Sequence, residues 1–214
     1  MIDLTLTIDN ECMTCNAPWH AKVDISRLGE LDRVGRNTSK FILGSHTATH
    51  MDAPLHFYEG ADAIDRVDLE QCVGPVTCVD MTHMKAGAVV QLEDVTGLNV
   101  TERMLFAFGW YKHWKTPQYY REFPYFSEEA ILWLVEKGMR FMAMDTPSPD
   151  DGGAIQKKDD SPMHKILLKK EIIIVEYLNG TELIDYEKEY DIIALPLKIK
   201  GADGSPARVI LKER

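Results

Sequence analysis

Long apolar runs are absent from this chain. Stretches such as Ile172 to Val175 are far too short to span a bilayer, and Met1 to Cys15 has neither a basic start nor an apolar segment of signal-peptide length. Those absences argue against a membrane protein and point to a cytoplasmic address. Lys and Arg are also scarce, 24 against 34 Asp and Glu, which leaves a formal net charge of -10. Polyphosphates are bound mainly by clustered cations, so a nucleic-acid partner is disfavoured. Nor is there a basic amphipathic stretch for a membrane surface. Cysteine is limited to Cys12, Cys15, Cys72 and Cys78. In a reducing compartment these remain thiols, and an apolar content of 45% over 214 residues must supply the core without disulfides. Cys12 and Cys15 form a lone CxxC with no second pair at zinc-ribbon spacing, so packing or free thiols account for them better than structural zinc. With no repeat, low-complexity tract or linker, residues 1–214 read as one domain.

What is present is a mixed α and β pattern. Pro75 to Asp80 and Met104 to Phe108 read as short buried strands bounded by glycine or polar turns. Ser127 caps an expected helix with Glu128 and Glu129 in its first turn, an apolar stripe of Ile131, Leu134 and Val135, and a stop at Gly138. Arg140 to Met144 follows as a strand. Ser161-Pro162 opens a second short helix, Ser as cap and Pro at the first helical position, with Lys169 and Lys170 suiting the dipole at its end. Ile172 to Tyr177 and Ile192 to Leu195 read as strands, and Gly201 to Ser205 as the loop of a hairpin. The first forty residues lack periodicity and carry Pro18 and two cysteines, which predicts an arm that completes its folding on a partner subunit.

Residues 46–56 read HTATHMDAPLH, placing His46, His50, Asp52 and His56 within one short segment, three of the seven histidines in the protein. Neutral imidazole and carboxylate are both good donors to zinc and similar ions. On a helix Asp52 would point away from His46 and His50. On a flat strand all four share a face, yet His46 and His56 would stand roughly 33 Å apart. A bent segment resolves the conflict, and Pro54 with the small residues Ala48 and Ala53 supports a turn. His46, His50 and Asp52 then close on one ion, with His56 beside it. A second polar pair is expected from a distant segment: His164, in the first turn of the short helix, and Glu176, a carboxylate within an apolar run where uncompensated burial is costly.

These residues resemble the HTGTHxDxPxH signature of the cyclase family of metal-dependent hydrolases, which includes formamidases acting on N-formylkynurenine and the similar isatin-opening hydrolases. The resemblance continues through Gly109-Trp110, the helix from Ser127 followed by Asp145-Thr146-Pro147-Ser148, the His164 to Glu176 spacing, and LPLKIKGADGSPARV from Leu195 to Val209. It implies a swivelling β/β/α type of fold, a homo-oligomer, and a substrate pocket shaped in part by the first forty residues. It also implies that His46, His50 and Asp52 hold one ion, that Asp52 bridges to a second held by His164 and Glu176, and that His56 is the acid/base. The ions would be zinc, with manganese the alternative. One departure is Ala48, where the family usually has Gly; it adds a methyl group in a tight turn.

The expected chemistry is water attack on a small amide or formamide, with arylformamidase activity first, cyclic-amide opening second, and an inert metal-binding protein as the rival from another class. Trp110 and Trp114, with Tyr111, follow a buried strand and are candidates for an aromatic wall against a flat substrate. His20, His83 and His113 have no partner pattern and read as ordinary polar residues.

Overall fold

A computed structural model describes residues 1–15, 17–154 and 161–214 of the chain. Strand β1 (Ile2–Asp3) is followed by a hairpin of β2 (Asp24–Gly29) and β3 (Thr38–Ile42), with a single helical turn, α1 (Leu31–Val34), in its connection. Next come β4 (His50–Asp52), α2 (Leu69–Cys72), β5 (Val73–Asp80), β6 (Val89–Val90) and α3 (Leu92–Val95). The middle of the chain supplies β7 (Arg103–Ala107), β8 (Tyr125–Phe126), α4 (Glu128–Glu136) and β9 (Phe141–Met144). The remainder is α5 (Pro162–Lys169), β10 (Ile173–Glu176), β11 (Tyr190–Pro196) and β12 (Gly204–Glu213).

The main sheet runs β1-β12-β11-β5-β7-β9-β10-β4, and β4 pairs again with β12, which closes a barrel. Strands β5, β7, β9 and β10 are mutually parallel, while β4, β11 and β12 pair antiparallel with their neighbours. Parallel strands covered on both faces are mostly apolar, and every residue of β7, β9 and β10 is buried, with Arg103 and Glu176 the charged exceptions. One core fills the barrel with Met51, Leu105, Phe141, Val175, Ile192 and Val209. The other lies between the sheet and its helices and uses Phe106, Met142, Ile131, Leu134, Leu167 and Ile174. The expected mixed α and β class is observed.

Local signals act where the sequence places them. Ser127 Oγ accepts from Ala130 N at 3.3 Å and caps α4, whose Ile131 and Leu134 are buried. Gly138, just past its end, adopts a φ of 104° that a side chain would resist. Two expectations are corrected. The cap acceptor of α5 is not Ser161: Asp150 Oδ1 accepts from Met163 N at 2.7 Å and its Oδ2 from His164 N at 3.1 Å, because the chain folds back to deliver a carboxylate to the first turn. Gly204 and Ser205 belong to β12 and not to the hairpin loop. Within the first forty residues β1 pairs with β12 and Leu4 and Leu6 are buried, while the β2–β3 hairpin leaves large apolar side chains exposed. The four cysteines form no disulfide.

Candidate metal centre

Register sets the site. In β4, His50 and Asp52 are two residues apart and so share a face. Antiparallel pairing with β10 sets Glu176 opposite His50, and direct cross-strand partners also share a face. Val175 and Met51 point into the barrel while Ile174 packs toward the helices, so His50, Asp52 and Glu176 face the helical layer. The first turn of α5 brings His164 onto that face. Before β4 the chain turns sharply at Ala48, a buried residue with a φ of 53°, and after it the 3-10 turn Pro54–His56 swings His56 back. The bend expected from the spacing is therefore built from a left-handed residue on one side and Pro54 on the other. A left-handed alanine is strained by roughly 1–2 kcal/mol relative to its ordinary conformation. The turn uses that strain to aim the Ala48 carbonyl at His50 Nδ1, 2.7 Å away.

A carbonyl only accepts, so His50 Nδ1 donates to it and Nε2 is the nitrogen turned toward the site. That nitrogen lies 3.4 Å from Asp52 Oδ1 and 3.2 Å from Glu176 Oε2. His164 repeats the arrangement: its Nδ1 donates to Asp150 Oδ2 at 2.6 Å, and Nε2 lies 3.3 Å from Asp52 Oδ2 and 3.2 Å from Glu176 Oε1. His46 uses the opposite edge, with Nδ1 2.8 Å from Asp52 Oδ1 and Nε2 2.8 Å from Asp203 Oδ2. Despite these short separations, no hydrogen bond of acceptable geometry reaches Asp52 Oδ1, Asp52 Oδ2 or Glu176 Oε1, all of them buried. Orphaned buried carboxylate oxygens are costly, and carboxylates converging with imidazole nitrogens are what a divalent cation satisfies once it displaces the imidazole protons. The donors His50, Asp52 and Glu176 lie within 4.8 Å of one another, as do those of His46, Asp52 and His56. The residues present therefore fit a divalent metal. Glu176 faces both His50 and His164, a wider role than the pairing with His164 alone expected from the sequence.

The electrostatics agree. Burial disfavours the His46 cation, but the Asp52 carboxylate and the bond to Asp203 outweigh it and raise its pKa to about 9. At His50 burial is likewise overcome, here by the Asp52 and Glu176 carboxylates beside it, and the pKa rises to about 10. His164 moves in the same direction against burial, through Asp150 and Asp52. Asp52 is also desolvated, yet His46 and His164 hold it well below the usual carboxylate range. The pocket thus attracts positive charge.

A cavity of about 300 Å³ opens over these side chains, lined also by Trp19, His20, Phe57, Tyr120 and Tyr177. Trp110 and Trp114 are not among its lining residues: Trp110 is buried with Nε1 bonded to the Tyr119 carbonyl, and Trp114 packs edge-on against Tyr119 and Tyr177 behind the wall. His20, expected to be an ordinary polar residue, stands over His46 with ring centroids 6.2 Å apart, and Cys15 also faces the cavity. Sequence reasoning missed Asp203 and Asp150, the acceptors for His46, His56 and His164. The Asp203-Gly204 pair looked like hairpin chemistry, and nothing local to Asp150 signals a partner fourteen residues away.

Comparison with known proteins places the chain in a family. The Cyclase family model matches residues 2–151, which include His46 to His56 and end before His164 and Glu176. A kynurenine formamidase of Bacillus cereus is 31% identical over 214 residues, covering 99% of this chain and 96% of its own. One from Bordetella petrii is 34% identical over 179 residues, covering 83% of this chain and 81% of its own. Among solved structures, isatin hydrolase A from Ralstonia solanacearum superposes with a TM-score of 0.85 at 23% identity over 98% of this chain and 90% of its own, a likeness of fold. A structure titled as a predicted metal-dependent hydrolase from Bacillus stearothermophilus gives 0.74 at 27% identity, with 98% and 96% coverage. With its motif folded around a cation-seeking pocket and its length matched almost end to end, this chain belongs to the cyclase family.

Proposed function

We propose that this protein is a metal-dependent hydrolase that cleaves the C–N bond of an aryl formamide, with N-formylkynurenine as the substrate to test first. The observation that carries the reading is the set of orphaned buried donors beside His56, an imidazole with 27% of its side chain exposed in an aromatic-lined cavity. The near full-length similarity to kynurenine formamidases supports the substrate class. His46, His50 and Asp52 would hold one ion, and Asp52 with His164 and Glu176 a second. Three imidazoles and two carboxylates without thiolate suit zinc, with manganese the alternative.

A bound divalent ion polarises a carbonyl and lowers the pKa of water toward 7. The protein's own groups do the rest. His56 Nδ1 donates to Asp203 Oδ2 at 3.0 Å, leaving Nε2 as the ring's free acceptor. Nε2 takes a proton from the attacking water as its oxygen bonds to the formyl carbon. It returns that proton to the nitrogen as the C–N bond breaks, giving formate and an arylamine. The rings of Phe57, Tyr120 and Tyr177 offer flat apolar contact to the aryl group.

The decisive assay is formate release from N-formylkynurenine by zinc- and manganese-loaded protein, with isatin alongside. Turnover of isatin but not the formamide would replace this reading with ring opening, the activity named for the fold relative above. No hydrolysis of any amide or ester probe by fully loaded protein would leave a metal-binding protein without catalysis.

Metal uptake should depend on pH in a defined direction. His46 and His50 bind protons in the metal-free pocket up to about pH 9 and about pH 10, and a metal must displace them. Apparent affinity should therefore climb from pH 6.5 toward pH 9, by about tenfold per unit for each proton displaced. For the metal-free protein the sign is reversed. Raised histidine pKa values stabilise the fold fully below the ordinary value of 6.5, and that contribution is lost as pH rises through about 9 and about 10. Chelator competition and thermal melts across this range check both.

The protein is further proposed to be a homo-oligomer joined through its arm. Leu28, Leu31, Val34, Phe41 and Ile42 on or between β2 and β3 are 47% to 66% exposed, a concentration of apolar surface uncommon on a monomer. Phe41→Lys should shift the light-scattering mass toward that of one chain; an unchanged mass places the interface elsewhere.

No helix among the described residues is long and apolar enough to cross a membrane. A cytoplasmic location is proposed on the sequence grounds given above.

A further inference from the structure

Asp203 lies on a loop that follows β11, far in sequence from the histidine motif, yet it is fastened to it. Ala53 N donates to the Asp203 carbonyl at 3.0 Å, Ile64 N donates to the Ala202 carbonyl at 2.9 Å, and Gly204 pairs with Asp52 as β12 begins. Gly204 makes this approach possible: a Cβ there would meet the Met51 carbonyl oxygen at 2.8 Å and His46 Cε1 at 3.0 Å. The backbone is thus pressed against the His46 ring, and the neighbouring side chain reaches over it. One oxygen, Asp203 Oδ2, then accepts from two imidazoles at once, His46 Nε2 at 2.8 Å and His56 Nδ1 at 3.0 Å. Those rings lie 4.1 Å apart, centroid to centroid, tilted by 38°.

We propose that Asp203 is a positioning residue shared by the metal-binding and proton-transfer histidines, its single carboxylate oxygen fixing which nitrogen each ring turns toward the site. The inference rests on the functional reading above for the role of His56, and on the pocket alone for His46. In the neutral imidazole that a metal requires, an acceptor at His46 Nε2 keeps the proton on that nitrogen and leaves Nδ1, on the edge that faces Asp52, as the ligand atom. The same acceptor at His56 Nδ1 leaves Nε2 bare for proton transfer. An imidazole without such a partner exchanges its proton between two nitrogens and rotates, so both the ligand and the base would be populated in the wrong form part of the time. Asp150 does the corresponding work for His164, which makes it an internal control.

The test needs no knowledge of the substrate. Metal affinity of Asp203→Ala, Asp203→Asn and Asp150→Asn is measured by competition with a chromophoric chelator. The tautomers of His46 and His56 are read from 15N chemical shifts of the zinc-loaded proteins. Asp203→Ala is expected to lose roughly 10- to 100-fold in affinity and to mix the tautomers of His56. Asp203→Asn, which keeps an accepting oxygen without the charge, is expected to retain the wild-type tautomers with an intermediate affinity. Asp150→Asn should weaken metal binding while leaving the His56 signal unmoved. Wild-type affinity together with an unmoved His56 signal in Asp203→Ala would overturn the proposal. Should that variant not fold, wild-type affinity in Asp203→Asn would overturn it instead. Failure of the formamidase assay leaves these spectroscopic and affinity results intact, so the two readings fail separately.

Discussion

Replacing Asp52 with Asn is expected to strip the protein of its metal and to lower turnover by on the order of 10³-fold, the equivalent of several kcal/mol of lost charge stabilisation. Asp52 is 1% exposed and stands at the centre of the donor set: Oδ1 is 2.8 Å from His46 Nδ1 and 3.4 Å from His50 Nε2, and Oδ2 is 3.3 Å from His164 Nε2. The neighbouring strand backbones hold it there through the pairing of β4 with both β10 and β12. An amide of the same shape presents one oxygen and one NH2 group, so one of the two sides loses its acceptor and gains a donor aimed at a lone pair. Elemental analysis after dialysis gives the metal content, and steady-state kinetics the rate. Stoichiometric metal and normal turnover in this variant would remove Asp52 from the centre of the site.

His56→Ala should behave differently, with metal content retained and kcat reduced by roughly 10²- to 10⁴-fold, the range associated with a lost general acid and base. The contrast matters because His56 is also close enough to His46 and Asp52 to be counted among possible ligands. Two observations favour proton transfer. Its Nδ1 is engaged by Asp203, and it is the most exposed of the three motif histidines, at 27% against 11% and 2% for the side chains of His46 and His50. A ligand would take metal with it when removed, whereas a base would leave the metal behind and flatten the dependence of rate on pH. Loss of metal from His56→Ala would therefore reassign it to the ion.

Much of this is legible in the sequence. The cap and acidic first turn at Ser127, the stop at Gly138 and the apolar stripe of Ile131 and Leu134 are local signals, and they govern α4 as local signals should. The even spacing of His46, His50, Asp52 and His56 could not be satisfied by a straight helix or strand, and the observed path bends at Ala48 and Pro54. Less legible were the aromatic wall and the carboxylates behind the histidines. Trp110 and Trp114 looked available because they follow a strand, but the chain turns them into the layer behind Tyr119 and Tyr177. Trp19 and His20, in a segment without periodicity, reach the cavity instead.

The sequence by itself determined the donor types, the bent motif, the mixed α and β character and the acidic balance, because each depends on residues close together in the chain or on composition alone. Only the tertiary structure decided that Glu176 faces both halves of the pocket, that Asp150 caps α5 while holding His164, and that Asp203 answers to two histidines some 150 residues away. Those contacts follow from closing the barrel through β4 and β12 and from the register of β4 against β10. A register is a sum of many side-chain fits across strands, and no single residue along the chain announces it.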